Sequence, residues 1–171
     1  MNARASTVLS AAVATSVLLG GCVSDGPAPR PAPRPPAVQP SGIMPSVVDV
    51  AATRYARDSD KNGFADEINA TAFLFAPPHN TPITVGGSFT FTAKKLDGTD
   101  FATWKFDQGQ AKAAIEKLLP GPGYRFRLSM LDRGTDQMDS EDVQLWCEFT
   151  PEGGEPIRSR SPIRVTIGKL R

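Results

Sequence analysis

Apolar and polar residues alternate with a period of two through most of the chain after residue 46, and this pattern constrains the fold more than any other feature. It is clearest in residues 68–74, 89–93, 124–130 and 163–167. Successive side chains of a β-strand point to opposite faces, so the alternation is typical of strands with one buried face. Glycine, proline and aspartate pairs that favour turns separate the segments: Pro77-Pro78, Gly86-Gly87, Asp97-Gly98, Gly121-Pro122 and Gly153-Gly154. The pattern predicts a mainly β chain, a β-sandwich of roughly seven to eight strands.

One segment departs from the alternation and predicts a single short helix. Between Gln108 and Leu119, apolar residues recur at helical spacing at positions 111, 114, 115 and 118, and Pro120 follows as a stop. Residues 47–56 fit either a strand or a short helix, and we favour the strand. The β-sandwich domain is therefore expected to span residues 47–171.

Charge and histidine content argue against several functions. The 171 residues include 19 Lys and Arg and 18 Asp and Glu. Removing residues 1–21 would remove one base, Arg4, and no acid, which leaves 18 of each. A balanced chain offers no electrostatic basis for binding nucleic acid. Ser-His-Asp and Cys-His catalysis both need a histidine as general base, and His79 is the only histidine of the chain. We therefore predict that the chain is not an enzyme.

The first 22 residues combine four features of a bacterial export signal. Arg4 supplies positive charge, and residues 8–19 form a mostly apolar stretch that is too short to span a bilayer, which takes about 20 residues. Small residues then precede a cysteine in Leu19-Gly20-Gly21-Cys22. This ending resembles the lipobox of bacterial lipoproteins. The alternative is an ordinary secretory signal followed by an incidental cysteine.

The lipobox resemblance implies that residues 1–21 are a signal peptide and that Cys22 becomes the acylated N-terminus. The lipid bilayer would then be a partner, because two or three acyl chains anchor a protein stably whereas one chain holds it weakly. Val23 stands where lipoproteins retained in the inner membrane often carry aspartate. The resemblance therefore implies a lipid-anchored protein of the cell envelope, and we expect the outer membrane, facing the periplasm or the cell surface.

Residues 22–46 are interpreted as the acylated cysteine followed by a proline-rich linker. Eight of the 16 prolines of the chain fall in this segment. Proline lacks a backbone N–H donor, so we expect a disordered tether with extended polyproline II character rather than a helix or a strand. Two Pro-Arg pairs, Pro29-Arg30 and Pro33-Arg34, leave open the alternative that the tether binds a partner.

The twelve residues 58–69, with the sequence DSDKNGFADEIN, are the most informative motif of the domain. They resemble the D-x-D-x-[DN]-G calcium loops of EF-hands, dockerins and thrombospondin type 3 repeats. Calcium takes about six to eight oxygen ligands, which such a loop turns toward one point. The resemblance implies a Ca²⁺ site whose ligands are the side chains of Asp58, Asp60, Asn62, Asp66 and Asn69 and the backbone carbonyl of Phe64.

This loop departs from the EF-hand at its twelfth position. Asn69 replaces the bidentate glutamate, which lowers the expected affinity to about 10⁻⁴–10⁻³ M, and a strand pattern follows instead of a helix. Asp, Asn and Gly also favour solvated turns for local reasons, so that alternative stays open. If calcium binds, we expect it to pin the loop to the sandwich rather than to act as a sensor.

Three further features have both an ordinary and a functional interpretation. Residues 132–142 are rich in acids and are interpreted as a solvated loop between strands. Cys147 lies on the apolar face of an alternating segment, which predicts a buried and inert thiol rather than a catalytic one. Trp104, Tyr124 and Trp146 are hypothesised to line a sugar-binding face, although aromatic residues more commonly belong to the core.

These observations favour one function class and leave two alternatives. We favour a membrane-anchored lipoprotein that acts as a structural or protein-interaction module of the envelope, stabilised by calcium. The first alternative is a module that binds a polysaccharide or another ligand. The second is a calcium-assisted hydrolase, which would need converging carboxylates such as Asp132 or Glu148 beside a pocket, and the sequence shows no such pairing.

Overall fold

The alternating segments form antiparallel strands in the computed structural model, which describes residues 39–134 and 137–170. The elements, in chain order, are β1 Val47–Ala52, β2 Phe64–Ala65, β3 Glu67–Ala76, β4 His79–Ile83, β5 Gly87–Lys95, β6 Asp100–Phe106, α1 Gln108–Ala113, β7 Ile115–Lys117, β8 Pro122–Ser129, β9 Glu141–Pro151, β10 Ile157–Arg158 and β11 Ile163–Lys169. A short 3₁₀ turn, Leu131–Arg133, follows β8. The chain is mainly β, as the sequence predicted.

The strands form two sheets. One sheet has five strands in the order β1-β3-β8-β7, with β4 beside β3, and the other has six in the order β2-β11-β9-β5-β6, with β10 beside β9. Every strand pair is antiparallel. The long strands β3 and β9 lie near the centres of their sheets, so most strand hydrogen bonds are formed with one of these two.

The core lies between the two sheets and depends on aromatic rings. Phe89 of β5 places its ring centroid 5.0 Å from that of Phe126 and 4.8 Å from that of Tyr124, both on β8. These contacts join the six-stranded sheet to the five-stranded one. Trp104 of β6 adds a polar link, because its indole N–H donates to the backbone carbonyl of Ser129 at 2.9 Å. The result is the predicted β-sandwich, in which the inward residues of both sheets form one apolar layer.

The predicted strand number agrees with the structure once short strands are set aside. In the described part of the chain, eight strands have five or more residues, and β2, β7 and β10 bring the total to eleven. Residues 47–52 form a strand, as favoured. The folded part also includes residues before the predicted domain start, since Ser46 donates its backbone N–H to the carbonyl of Phe75 at 2.9 Å.

The predicted helix is present but only half as long as expected. The helix α1 begins at Gln108, where Asp107 forms a capping box with Gln110, and it ends at Ala113. Ile115–Lys117 then form β7, which covers the edge of β8, so the expectation of helix up to Leu119 was wrong. Backbone pairing with an otherwise open sheet edge outweighs the helical spacing of the apolar residues. No helix within the described residues is long and apolar enough to cross a bilayer.

Candidate functional site

The carboxylate of Asp58 organises the first half of the calcium-like loop. It accepts backbone N–H groups from Lys61 at 2.7 Å, Asn62 at 3.2 Å and Gly63 at 2.9 Å. The hydrogen bond from Gly63 is the main reason why the pKa of Asp58 lies below its ordinary value. Gly63 adopts a φ of +92°, which a residue with a Cβ tolerates poorly. The aspartate and the glycine of the motif therefore define the turn together.

Two more predicted ligands lie in the same turn. Asp60 accepts the backbone N–H of Asn62 at 3.2 Å and its side-chain N–H at 3.0 Å. Asn62 in turn accepts the backbone N–H of Phe64 at 2.9 Å. The structure thus brings Asp58, Asp60 and Asn62 together on one exposed turn that leads into β2.

The last two predicted ligands follow this turn in the chain, and of these Asp66 hydrogen-bonds back to it. Asp66 is fully buried, and its carboxylate accepts both the backbone N–H and the hydroxyl of Ser59, at 2.7 Å and 2.6 Å. Asn69 lies within β3 and donates to Glu67 at 3.4 Å. Among residues 39–134 and 137–170, no group of three or more His, Cys, Asp or Glu side chains is arranged to hold a metal ion. Calcium binding stays a prediction.

The loop also connects the two sheets through backbone hydrogen bonds. On one side, β2 pairs with the end of β11 in the six-stranded sheet, and Leu170 donates to the carbonyl of Gly63 at 2.9 Å. On the other side, Met130 donates to the carbonyl of Asp66 at 2.7 Å, directly beyond β8 of the five-stranded sheet. Anything that stabilises this loop therefore stabilises the connection between the sheets.

The two cysteines differ in what the structure describes. Cys147 is fully buried, and burial is the main reason that the pKa of its thiol is raised far above the ordinary value, with the charge of Glu148 as a second cause. The prediction of a buried thiol is confirmed by this burial, and a buried thiol with a raised pKa is a poor nucleophile. Cys22, with the signal peptide and the proline-rich tether up to residue 38, lies outside the described residues.

The hypothesis of a shared aromatic sugar platform was wrong. Trp104 and Tyr124 are buried between the sheets, at 7% and 1% exposure. The hydroxyl of Tyr124 is fixed there, because it donates to the carbonyl of Val85 at 2.9 Å and accepts its N–H at 2.8 Å. Trp146 alone lies on the outer side of β9, where the guanidinium of Arg158 stands 5.5 Å from its ring centroid. Two of the three rings, those of Trp104 and Tyr124, therefore belong to the core, and the third, that of Trp146, already contacts Arg158.

The acidic stretch 132–142 only partly forms the predicted loop. Glu141 and Asp142 belong to β9, so the interpretation of these two residues as loop residues was wrong. Glu141 pairs with Lys95 at 3.0 Å. Asp142 accepts hydrogen bonds from the hydroxyl of Thr166 and the guanidinium of Arg164, and these bonds, that of Thr166 first, hold the pKa of Asp142 below its ordinary value.

A groove that sequence reasoning missed lies next to this carboxylate. It has a volume of about 490 Å³, and we call it the Tyr55 groove after an aromatic side chain that is 63% exposed. Arg54, Asp142, Thr166 and Lys169 also line it. These residues come from three distant parts of the chain, and no motif connects them. The only signal in the sequence is an Arg-Tyr pair in a segment without clear periodicity.

Comparisons with known proteins add little. No protein-family model matches the chain, and no curated protein matches it. Among solved structures, the chain is similar to a copper-bound variant of Campylobacter jejuni P19, with 12% sequence identity and a TM-score of 0.37. The similarity covers 74% of this chain and 93% of that one. At this TM-score it supports no conclusion about copper or function.

Proposed function

We propose that this chain is a lipid-anchored lipoprotein of the bacterial envelope, whose β-sandwich works as a structural or protein-interaction module without catalytic activity. The observation that carries the proposal is the order of the parts: an apolar export signal, the lipobox ending in Cys22, a proline-rich segment and then a folded β domain. Such an order suits a domain held at a distance from a bilayer by a stiff tether.

The state of the other cysteine supports acylation of Cys22. The chain has two cysteines, and Cys147 is buried, which raises the pKa of its thiol. A disulfide between the two would require Cys147 to leave the core, which supports acylation as the fate of the Cys22 thiol. The buried carboxylate of Asp66 accepts two hydrogen bonds from Ser59, which suits a structural role in the loop.

Mass spectrometry of the mature protein, expressed in a bacterium with lipoprotein processing, tests the anchor. We expect a mass lacking residues 1–21 and increased by acyl chains on Cys22. The matched control is Cys22→Ser, which removes the acylated sulfur and should leave the chain unprocessed at this site. A mature wild-type chain with an unmodified Cys22 thiol would refute the proposal.

Calcium is part of the proposal as a stabiliser of the domain. Asp58, Asp60 and Asn62 would supply side-chain oxygens from one turn, in keeping with the hard oxygen ligands that Ca²⁺ prefers. The wider arrangement fits less well, because Asp66 is engaged by Ser59 and Asn69 lies in β3. A bound ion would stiffen the turn that connects β2 to the rest of the sandwich.

A second candidate function is the binding of a ligand by the sandwich, and the Tyr55 groove favours it. Ligand sites in proteins are usually concave, with an aromatic surface and a few polar groups, and range over about 300–1,000 Å³. The groove falls in this range at about 490 Å³ and combines an exposed tyrosine with a carboxylate and cations. Retention of the protein on envelope polysaccharides, compared with a Tyr55→Ala variant, tests this candidate.

A further inference from the structure

We propose that the Asn62-Gly63 pair is a site of spontaneous deamidation, which the hydrogen bonds of the folded turn hold back and which proceeds when the turn opens. The inference goes beyond the proposed function and depends on neither acylation nor calcium. Three observations carry it: an exposed asparagine followed by glycine, a backbone N–H bound to a carboxylate, and a side-chain amide hydrogen-bonded through both of its polar atoms.

The chemistry needs only this pair of residues and water. The backbone nitrogen of Gly63 attacks Cγ of Asn62, and the new bond closes a five-membered succinimide ring. The bond between Cγ and the side-chain nitrogen breaks, and that nitrogen leaves as ammonia with the proton of the Gly63 N–H. Water then opens the ring at one of its two carbonyls, which leaves aspartate or isoaspartate at position 62.

Sequence and exposure single out this asparagine. Asn62 is the only asparagine of the chain that precedes glycine, since Asn69 and Asn80 precede alanine and threonine and Asn2 precedes alanine. A glycine favours the attack because it has no Cβ to crowd its nitrogen. Asn62 and Gly63 are both exposed, so water reaches the pair.

The folded turn restrains the attacking nitrogen through Asp58. Gly63 donates its backbone N–H to a carboxylate oxygen of Asp58 at 2.9 Å. The nitrogen must lose this proton to become a nucleophile, and the charge of Asp58 opposes the negative charge that would form beside it. The carboxylate is also a poor base for this proton, because its pKa is lowered, chiefly by the same hydrogen bond. While this bond persists, attack by Gly63 is therefore slow.

The turn also restrains the side chain that would be attacked. The side-chain nitrogen of Asn62 donates to Asp60 at 3.0 Å, and its side-chain oxygen accepts the backbone N–H of Phe64 at 2.9 Å. These bonds hold the amide by both of its polar atoms, so it can turn its carbon toward the nitrogen of Gly63 only when they break. Loss of either bond should therefore speed the reaction.

The modified turn should connect the two sheets less well. In isoaspartate the main chain runs through Cγ and is longer by one methylene. Gly63 would then shift relative to Asp58 and to Leu170, which donates its N–H to the carbonyl of Gly63 at 2.9 Å. Since this bond belongs to the link between β2 and β11, the isoaspartate form should unfold at a lower temperature than the unmodified protein.

Peptide mapping by mass spectrometry tests the proposal on the mature full-length protein, incubated at neutral pH in detergent and EDTA so that calcium plays no part. We expect the peptide that contains Asn62 to gain the mass difference between an amide and an acid. This gain should be about tenfold faster in guanidinium chloride, and also in folded Asp60→Ala, than in the folded wild type. Asp97→Ala, which changes an aspartate of another exposed turn, is the matched control and should keep the slow rate. The peptides that contain Asn69 and Asn80 serve as internal standards and should remain amides.

Each part of the proposal has a result that would overturn it. If Asn62 remains an amide in guanidinium chloride, the pair is not a deamidation site. If the folded and unfolded wild type react at the same rate, the turn gives no protection, and this comparison needs no variant to fold. An unchanged rate in an Asp60→Ala protein with a normal unfolding midpoint would exclude the role of Asp60, and an unchanged midpoint of the isoaspartate form would exclude the effect on the sheets.

Discussion

The side-chain amide of Gln39 pairs with the backbone of Thr84 as a second peptide group would. Its Nε2 donates to the carbonyl of Thr84 at 2.9 Å, and its Oε1 accepts the N–H of Thr84 at 2.9 Å. The pair joins the first described residue of the chain to the segment after β4. It therefore fixes the point at which the proline-rich segment enters the folded domain.

Replacing Gln39 should loosen this entry point without unfolding the domain. In Gln39→Ala both hydrogen bonds are lost, and since the site is exposed we expect the unfolding free energy to fall by about 1 kcal/mol or less. Hydrogen exchange of the Thr84 amide should become faster. Gln39→Glu keeps the acceptor and loses the donor, so the Thr84 amide should exchange faster than in the wild type and more slowly than in Gln39→Ala. Unchanged exchange in Gln39→Ala would contradict the pairing.

Calcium should stabilise the domain if the loop resemblance is correct. A ligand that binds only the native state raises the midpoint of thermal unfolding. With a dissociation constant of about 10⁻⁴–10⁻³ M, 10 mM calcium should raise the midpoint by about 5 °C relative to EDTA. Asp60→Ala should abolish this difference, whereas Asp97→Ala, which changes an aspartate of the β5–β6 turn, should keep it. Equal midpoints for the wild type with calcium and with EDTA would refute the site.

The hydrogen bonds that the Asp58 carboxylate accepts from backbone N–H groups predict that Asp58 contributes to the loss of stability at acid pH. The pKa of Asp58 in the folded state lies below 3.8, the value it has when unperturbed. A group with a lowered folded pKa stabilises the fold above its unfolded pKa, and this stabilisation is lost as the pH falls through the folded pKa. Asp58→Asn should therefore lose less stability than the wild type when denaturant unfolding is compared at pH 5 and pH 2. If the unfolding free energy of Asp58→Asn falls as much as that of the wild type or more, the hydrogen bonds to Asp58 do not contribute to acid sensitivity.

The sequence predicted the residues of the sandwich better than those of the grooves and edges. Alternation identified β3 and β8 because burial on one face is a local property of each strand. It misjudged residues 114–119, since a helical spacing of apolar residues does not show that the edge of β8 needs a partner. The Tyr55 groove was beyond sequence reasoning, because the bridge from Tyr55 to Thr166 joins residues that no local pattern relates.

The hydroxyl of Tyr124 should contribute measurably to stability, whereas that of Tyr55 should not. Tyr124→Phe leaves the N–H and carbonyl of Val85 without the hydroxyl that bonds both, which should cost about 1–3 kcal/mol in denaturant unfolding. The chain offers a matched control in Tyr55→Phe, which removes a hydroxyl from an exposed ring and should change stability by less than about 0.5 kcal/mol. Similar losses in the two variants would indicate that the buried hydroxyl bonds contribute nothing specific.

Thiol titration examines the core and the anchor in one experiment. Cys147 is fully buried and should not react with a thiol reagent in the native state, because the reagent needs an accessible thiolate. If Cys22 is acylated, the mature protein should show no reactive thiol when folded and one thiol in guanidinium chloride. Cys147→Ala should then show none in either condition. A thiol that reacts in the folded wild type, and still reacts in folded Cys147→Ala, would be that of Cys22. Such a result would rule out the anchor, whereas the buried position of Cys147 would stand.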